Sequence, residues 1–306
     1  MFHLRLISAI ALISLLVAVV WLDYWYPLFG VAGLWIWPLG FYAALATAAE
    51  FTKLAQNGGH VLSRPAIMVA VGCVYLIASV PLLWGFSGER YPEDCPVGIV
   101  GWPALALPIS LFAMSAYQMM NYTNDGKALE RISIAGMVVL YVGGCCSFWV
   151  ILRTQSPPQW SLLTLVGIIA VTKLADIGAY ISGKLMGRNK LCPKISPGKT
   201  WEGLFGGFLF AALGSWIYFY QFIPWMQPTL PVTLGHFGPI LFAFLLTLTG
   251  LVGDLTESLI KRDVGSKDSG RLLPGMGGIW DVTDSLLPTA VIGFLGVVAG
   301  LVPQSA

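Results

Sequence analysis

The chain has 306 residues, 57% of them hydrophobic and 10% charged, with 17 Lys and Arg against 15 Asp and Glu for a formal net charge of +2. A soluble domain carries about 25% charged residues, so this chain cannot clothe a water-facing surface and must face lipid. So small a net charge excludes a nucleic-acid partner recruited by a basic surface. The cysteines (Cys73, Cys95, Cys145, Cys146 and Cys192) lack zinc or redox spacing and read as packing residues or incidental thiols.

A membrane-spanning helix needs about 20 mostly apolar residues. Segments of that kind occupy 6–22, 29–51, 65–86, 98–120, 132–152, 159–182, 202–223, 237–260 and 284–303. The expected fold is therefore all-α and polytopic, with about nine transmembrane helices. None of the segments alternates like a barrel strand. The first is followed by a second with no small-residue cleavage site between them, so a retained span is expected in preference to a signal peptide. The expected organisation is five spans over 1–155 and four over 156–306, the latter with two long loops. No internal repeat of the transporter kind is visible.

Basic residues set the orientation. With the N-terminus inside, Arg5, Lys53, Arg64, Lys127, Arg131, Lys184, Arg188, Lys190, Lys194, Lys199, Lys261, Arg262, Lys267 and Arg271 all fall inside. Only Arg90 and Arg153 fall outside, and Lys173 lies within a span. The N-terminus is thus expected in the cytoplasm and the C-terminus outside.

Two polar segments interrupt the second half. The first is 173-KLADIGAYISGKLMGRNKLCPKISPGKTWEGLFGG-207. Lys173, Asp176 and Tyr180 share one helix face. A charge within a span is costly unless paired or solvated, so Lys173 and Asp176 are either a structural ion pair or the wall of a polar cavity. The loop that follows is basic and suits anionic headgroups or a polyphosphate. Ser196, Lys199 and Thr200, next to a helix start, offer hydroxyls, a charge and amides for phosphate. The Gly-Lys-Thr triplet is not a P-loop, because the position that needs the first Gly holds Pro193.

The second segment is 253-GDLTESLIKRDVGSKDSGRLLPGMGGIWDVTDS-285. Asp254, Glu257, Ser258 and Lys261 form one polar face at the end of an apolar helix. A glycine-rich loop follows, and Asp281 and Asp284 lie one turn apart at the start of the last span. Oxygen donors without nearby His or thiolate suit Mg²⁺ bridging substrate phosphates. Asp254, Asp281 and Asp284 are the expected metal set, with room for a second cation. The competing reading has Asp281 and Asp284 only capping the last helix.

This second segment resembles the signature of the phosphatidate cytidylyltransferases (CDP-diacylglycerol synthases), S-x-x-K-R, K-D-x-[small], P-G-x-G-G and D-x-x-D. Here these are Ser258, Lys261, Arg262, Lys267, Asp268, Ser269, Pro274, Gly275, Gly277, Gly278, Asp281 and Asp284. The first segment resembles the family's other block through Asp176, Gly178, Ala179, Tyr180 and the run from Ile195 to Gly203, including Glu202. Met276 and Val282 stand where the family commonly has His and Arg. The resemblance covers about residues 160–303.

The resemblance implies transfer of CMP from CTP to phosphatidic acid in a lipid bilayer, in phospholipid biosynthesis. It implies catalytic roles for Lys261, Arg262, Lys267 and Asp281. It implies substrate contacts from Asp176, Tyr180, Ser196, Lys199, Thr200, Glu202, Ser258 and Asp268. Family habit places the protein in a bacterial inner membrane with its active site facing the cytoplasm. Small-residue faces such as Gly203, Gly206 and Gly207 can pack helices within a chain or between chains, so a homodimer is compatible with the sequence. The rival readings are a CTP-dependent polyprenol kinase and a secondary transporter. Against the transporter, the polar residues cluster on one side of the membrane.

Overall fold

The computed structural model describes residues 2–89, 91–228 and 237–302; Arg90 and Pro303, the end of the last expected span, lie outside them. Helix makes up 74% of the structure, and the sheet named among the described residues is a single two-stranded hairpin. The contacts divide the chain into two units. One holds Met1–Thr154 with Ile260–Thr283, the other Gln155–Leu259 with Asp284–Ala306.

In the first unit, α1 (Phe2–Trp25) is mostly apolar from Leu6 on, with Asp23 near its end, and stops just before Pro27. A 3₁₀ turn at Leu28–Gly30 holds Phe29 and Gly30 at positive φ, so no helix runs through it. Helix α2 (Trp37–Asn57) starts with Pro38 in its first turn, where the missing N–H costs nothing. Helix α3 (Arg64–Ala78) is followed by Val80–Ser87 at a bend of 51°. At the bend Pro81 removes a donor, and the Ser79 hydroxyl donates back to the Tyr75 carbonyl at 2.7 Å. Helix α4 (Gly98–Met120) tolerates Pro103 and Pro108. Helix α5 (Ala128–Arg153) widens into a π turn at Val139–Gly144, which ends on the paired Gly143 and Gly144. It ends on a buried ion pair, in which Arg153 Nε and Nη2 donate to Asp23 Oδ2 at 2.9 and 2.6 Å. The Gly33 amide donates to the other carboxylate oxygen at 2.8 Å.

In the second unit, α6 (Pro158–Met186) leads into a hairpin of β1 (Lys190–Cys192) and β2 (Ser196–Thr200). Helix α7 (Trp201–Met226) follows at once. Thr200 explains the sharp turn from strand to helix, because its hydroxyl accepts the Gly203 amide at 3.1 Å as an N-cap. Helices α6 and α7 pack through glycine. A Cβ at Gly207 would lie 2.8 Å from the Ala175 carbonyl oxygen, and one at Gly203 would lie 2.9 Å from that of Ala179. The small-residue face expected from Gly203, Gly206 and Gly207 is thus filled within the chain. Gly207→Val should cost about 1–3 kcal/mol, because a backbone carbonyl cannot yield as a side chain can. The check is a lowered melting midpoint in detergent; an unchanged midpoint would refute this packing.

Helix α8 (Gly238–Asp263) runs from the second unit into the first, and α9 (Trp280–Thr283) and α10 (Leu286–Val298) close the chain. Among the described residues seven helices are long and apolar enough to cross a membrane, or eight with the bent pair at 64–87 taken as one span. Nine were expected. The difference lies at 29–51, where the helix begins only at Trp37 and its second half carries Glu50, Thr52, Lys53 and Gln56. It is long enough to span but too polar to be counted with the others.

Candidate active site

The first unit gathers its polar groups around Asp281. Its carboxylate accepts Lys261 Nζ at 2.8 Å, the Gly278 amide at 2.6 Å, and both the amide and the hydroxyl of Ser269, at 3.0 and 2.8 Å. The Leu273 amide donates to the Gly277 carbonyl at 2.9 Å and closes the loop between them. That loop can wrap the carboxylate because it is glycine-rich. Gly277 has φ +103° and a Cβ there would lie 2.5 Å from Asp281 Oδ2, while a Cβ at Gly278 would collide with Glu50 and Ser269.

Glu50, from α2, is the acidic residue that the sequence reading passed over. Its carboxylate is buried and accepts the Ile279 and Trp280 amides at 3.1 and 2.9 Å, with the Ser269 hydroxyl at 3.2 Å.

In the second unit, Lys173 Nζ lies 3.2 Å from Asp176 and 2.9 Å from the Ser285 hydroxyl, which donates in turn to Asp176 at 3.0 Å. Lys199, brought in by the hairpin, pairs with Asp254 of α8. Burial pulls the Lys199 ammonium down, but Asp254, with Asp176 and Asp284 behind it, outweighs burial and holds it above the ordinary lysine value. Lys199 is therefore charged at neutral pH. Asp284 is buried and accepts the Ser285 amide at 2.6 Å. Asp176, Asp254 and Asp284 thus share the field of Lys173 and Lys199, one carboxylate more than there are ammonium groups.

The cytidylyltransferase family model matches residues 3–298. A phosphatidate cytidylyltransferase of Haemophilus influenzae is 31% identical over 271 residues, covering 83% of this chain and 88% of that protein. One of Mycobacterium tuberculosis is 31% identical over 231 residues, 72% of this chain and 66% of that one. The uncharacterized Escherichia coli protein YnbB is 40% identical over 192 residues, 62% of this chain and 61% of YnbB.

The chain belongs to the cytidylyltransferase family. It is a nucleotidyltransferase in a membrane-spanning scaffold.

The other expected site residues of this cytidylyltransferase divide by what they touch. Thr200 is buried and its hydroxyl caps α7. Glu202 ties the hairpin to the end of α6, accepting the Arg188 and Asn189 amides at 3.2 Å and Asn189 Nδ2 at 2.8 Å. Ser258 lies 3.4 Å from Asp254, one helical turn back. Arg262, Lys267 and Asp268 are exposed, as is Tyr180, with Lys184 5.7 Å above its ring. Ser196 is half-buried in β2.

The donor set suits a hard cation, since the acidic groups offer oxygen and no thiolate or imidazole joins them. Among the described residues no three His, Cys, Asp or Glu side chains group closely enough to hold a metal unaided. Mg²⁺ does not need that, because it is commonly held by one or two carboxylates with substrate phosphates completing the shell.

Proposed function

We propose that this chain transfers CMP from CTP to phosphatidic acid, giving CDP-diacylglycerol and pyrophosphate. The observation that carries the reading is the family match over residues 3–298, together with Lys261 on Asp281 and Lys199 on Asp254. Both reactants are anionic, so the work is charge neutralisation and alignment. A lipid phosphate oxygen forms a bond to the α-phosphorus of CTP, and the bond from that phosphorus to the bridging oxygen breaks. Pyrophosphate leaves with the electron pair. The lipid phosphate is already ionised, so no side chain need act as general base. Lys261, with the exposed Arg262 and Lys267, neutralises phosphate charge, and Lys199 and Ser196 hold a second phosphate. Asp281 in the first unit, and Asp254 and Asp284 in the second, are the carboxylates offered to Mg²⁺; one or two of them would hold the ion with substrate phosphates, and it would screen phosphate charge.

The orientation that fits is a bacterial inner membrane with the N-terminus, the hairpin and the 264–279 loop in the cytoplasm. It requires α2 to cross despite its polar second half. If α2 did not cross, the later basic loops could stay inside only with the N-terminus and Arg5 on the opposite side.

Purified protein with phosphatidic acid, Mg²⁺ and CTP labelled at the α-phosphorus should yield labelled lipid. CTP labelled at the γ-phosphorus should yield none. Lipid labelled from the γ position would mean a kinase, and no labelled lipid from folded protein would overturn the reading.

A further inference from the structure

Asp281 sits on a short segment that has little rigidity of its own, since α9 is four residues long. What fixes that segment is one face of α2. Residues 47, 50 and 51, spaced i, i+3 and i+4, all touch it. Thr47 Oγ1 lies 3.3 Å from Thr283 Oγ1, and the Phe51 ring stacks on Trp280 with centroids 4.4 Å apart and planes 17° off parallel. Between them the Glu50 carboxylate accepts two successive backbone amides, Ile279 and Trp280.

Packing alone does not call for an acid here. A buried carboxylate is costly unless its oxygens are satisfied, and an apolar side chain would fill the space. Ser269 sharpens the point. Its hydroxyl has one proton and lies within reach of both Asp281 and Glu50. When Ser269 serves Asp281, Glu50 still has the two amides. Asp281 therefore keeps its donors without competition from the second acid beside it.

We propose that Glu50 is a positioning residue, which holds the backbone of residues 279–280 so that Asp281 keeps its aim. The inference rests on the transferase reading above.

The test uses full-length Glu50→Gln, with Phe51→Leu as a reference for plain loss of packing. In Glu50→Gln the new amide group presents N–H to a backbone N–H, so one of the two bonds is lost. Loss of such a supporting contact typically costs about 10- to 100-fold. The expected result is a fall of that size in kcat, KM for CTP and phosphatidic acid within about twofold, and faster hydrogen exchange at the 279 and 280 amides. Phe51→Leu should lower the melting midpoint at least as much while keeping most of kcat. Full kcat in Glu50→Gln would overturn the proposal. So would unchanged exchange at 279 and 280, or an equal kcat loss in Phe51→Leu. If folded wild type labels no lipid, the transferase reading fails by itself, and the exchange result still decides whether Glu50 holds the segment.

Discussion

Asp281→Asn is expected to abolish cytidylyl transfer for practical purposes, with kcat down about 10²–10³-fold or more. Four donors converge on this carboxylate: Lys261, two amides and a hydroxyl. An amide side chain turns its NH₂ toward some of them and removes the charge that Asp281 sets against Lys261. Breaking a buried pair by removing one partner costs about 3–5 kcal/mol; this pair is not fully buried, and a smaller loss of stability is expected. Activity could therefore fall simply because the loop loosens. The double variant Lys261→Met with Asp281→Asn separates the causes. If the pair only braces the fold, removing both charges restores melting and activity together. If either member of the pair works on substrate charge, melting recovers and activity does not. An active Asp281→Asn protein would end the assignment outright.

The second large effect is expected at Lys199. Lys199→Met leaves Asp176, Asp254 and Asp284 balanced by Lys173 alone among these residues. A drop in kcat/KM of about 10²-fold is expected, and the substrate whose KM rises more is the one whose phosphate Lys199 contacts. The pH dependence has a definite sign. A lysine held above its ordinary value contributes its pairing energy fully below the unfolded lysine value and loses it only as pH rises through the higher folded one. Lys199 should therefore produce no inflection near neutral pH. A limb there that disappears in Lys199→Met would contradict its charge state.

Much of the site was legible because its chemistry is local in sequence. Lys173 and Asp176 are one turn apart and do pair; Ser258 and Asp254 likewise lie on one face. What could not be read was long-range. Glu50 meets Ile279 across 229 positions, and Asp23 meets Arg153 across 130. A signal for Glu50 did exist, since an acid inside a mostly apolar helix marks function by default. It is a lone acid, whereas the glycine-rich second half carries its acids in clusters. Thr200 and Glu202 show the opposite difficulty. Both stand in a signature block, yet each has a local structural task, an N-cap and a hairpin tie. Sequence spacing cannot divide such tasks from contact with substrate. The span count differed for a related reason. Hydropathy over 29–51 averages an extended turn with a helix, and it omits the polar residues up to Asn57 that the helix includes.

The first unit is discontinuous, and this bears on how the protein is made. Residues 260–283 complete it only after residues 155–259, which belong to the other unit, have been synthesised. At about 5–20 residues per second, the ribosome takes on the order of 10–50 s to travel from Glu50 to the amides that satisfy it. During that interval the nascent α2 carries an acid with none of those donors, so early insertion must keep it near water or beside another nascent helix. Docking of the 260–283 segment is then the event that seats the acid, and it comes only after the 155–259 stretch of the other unit has been made.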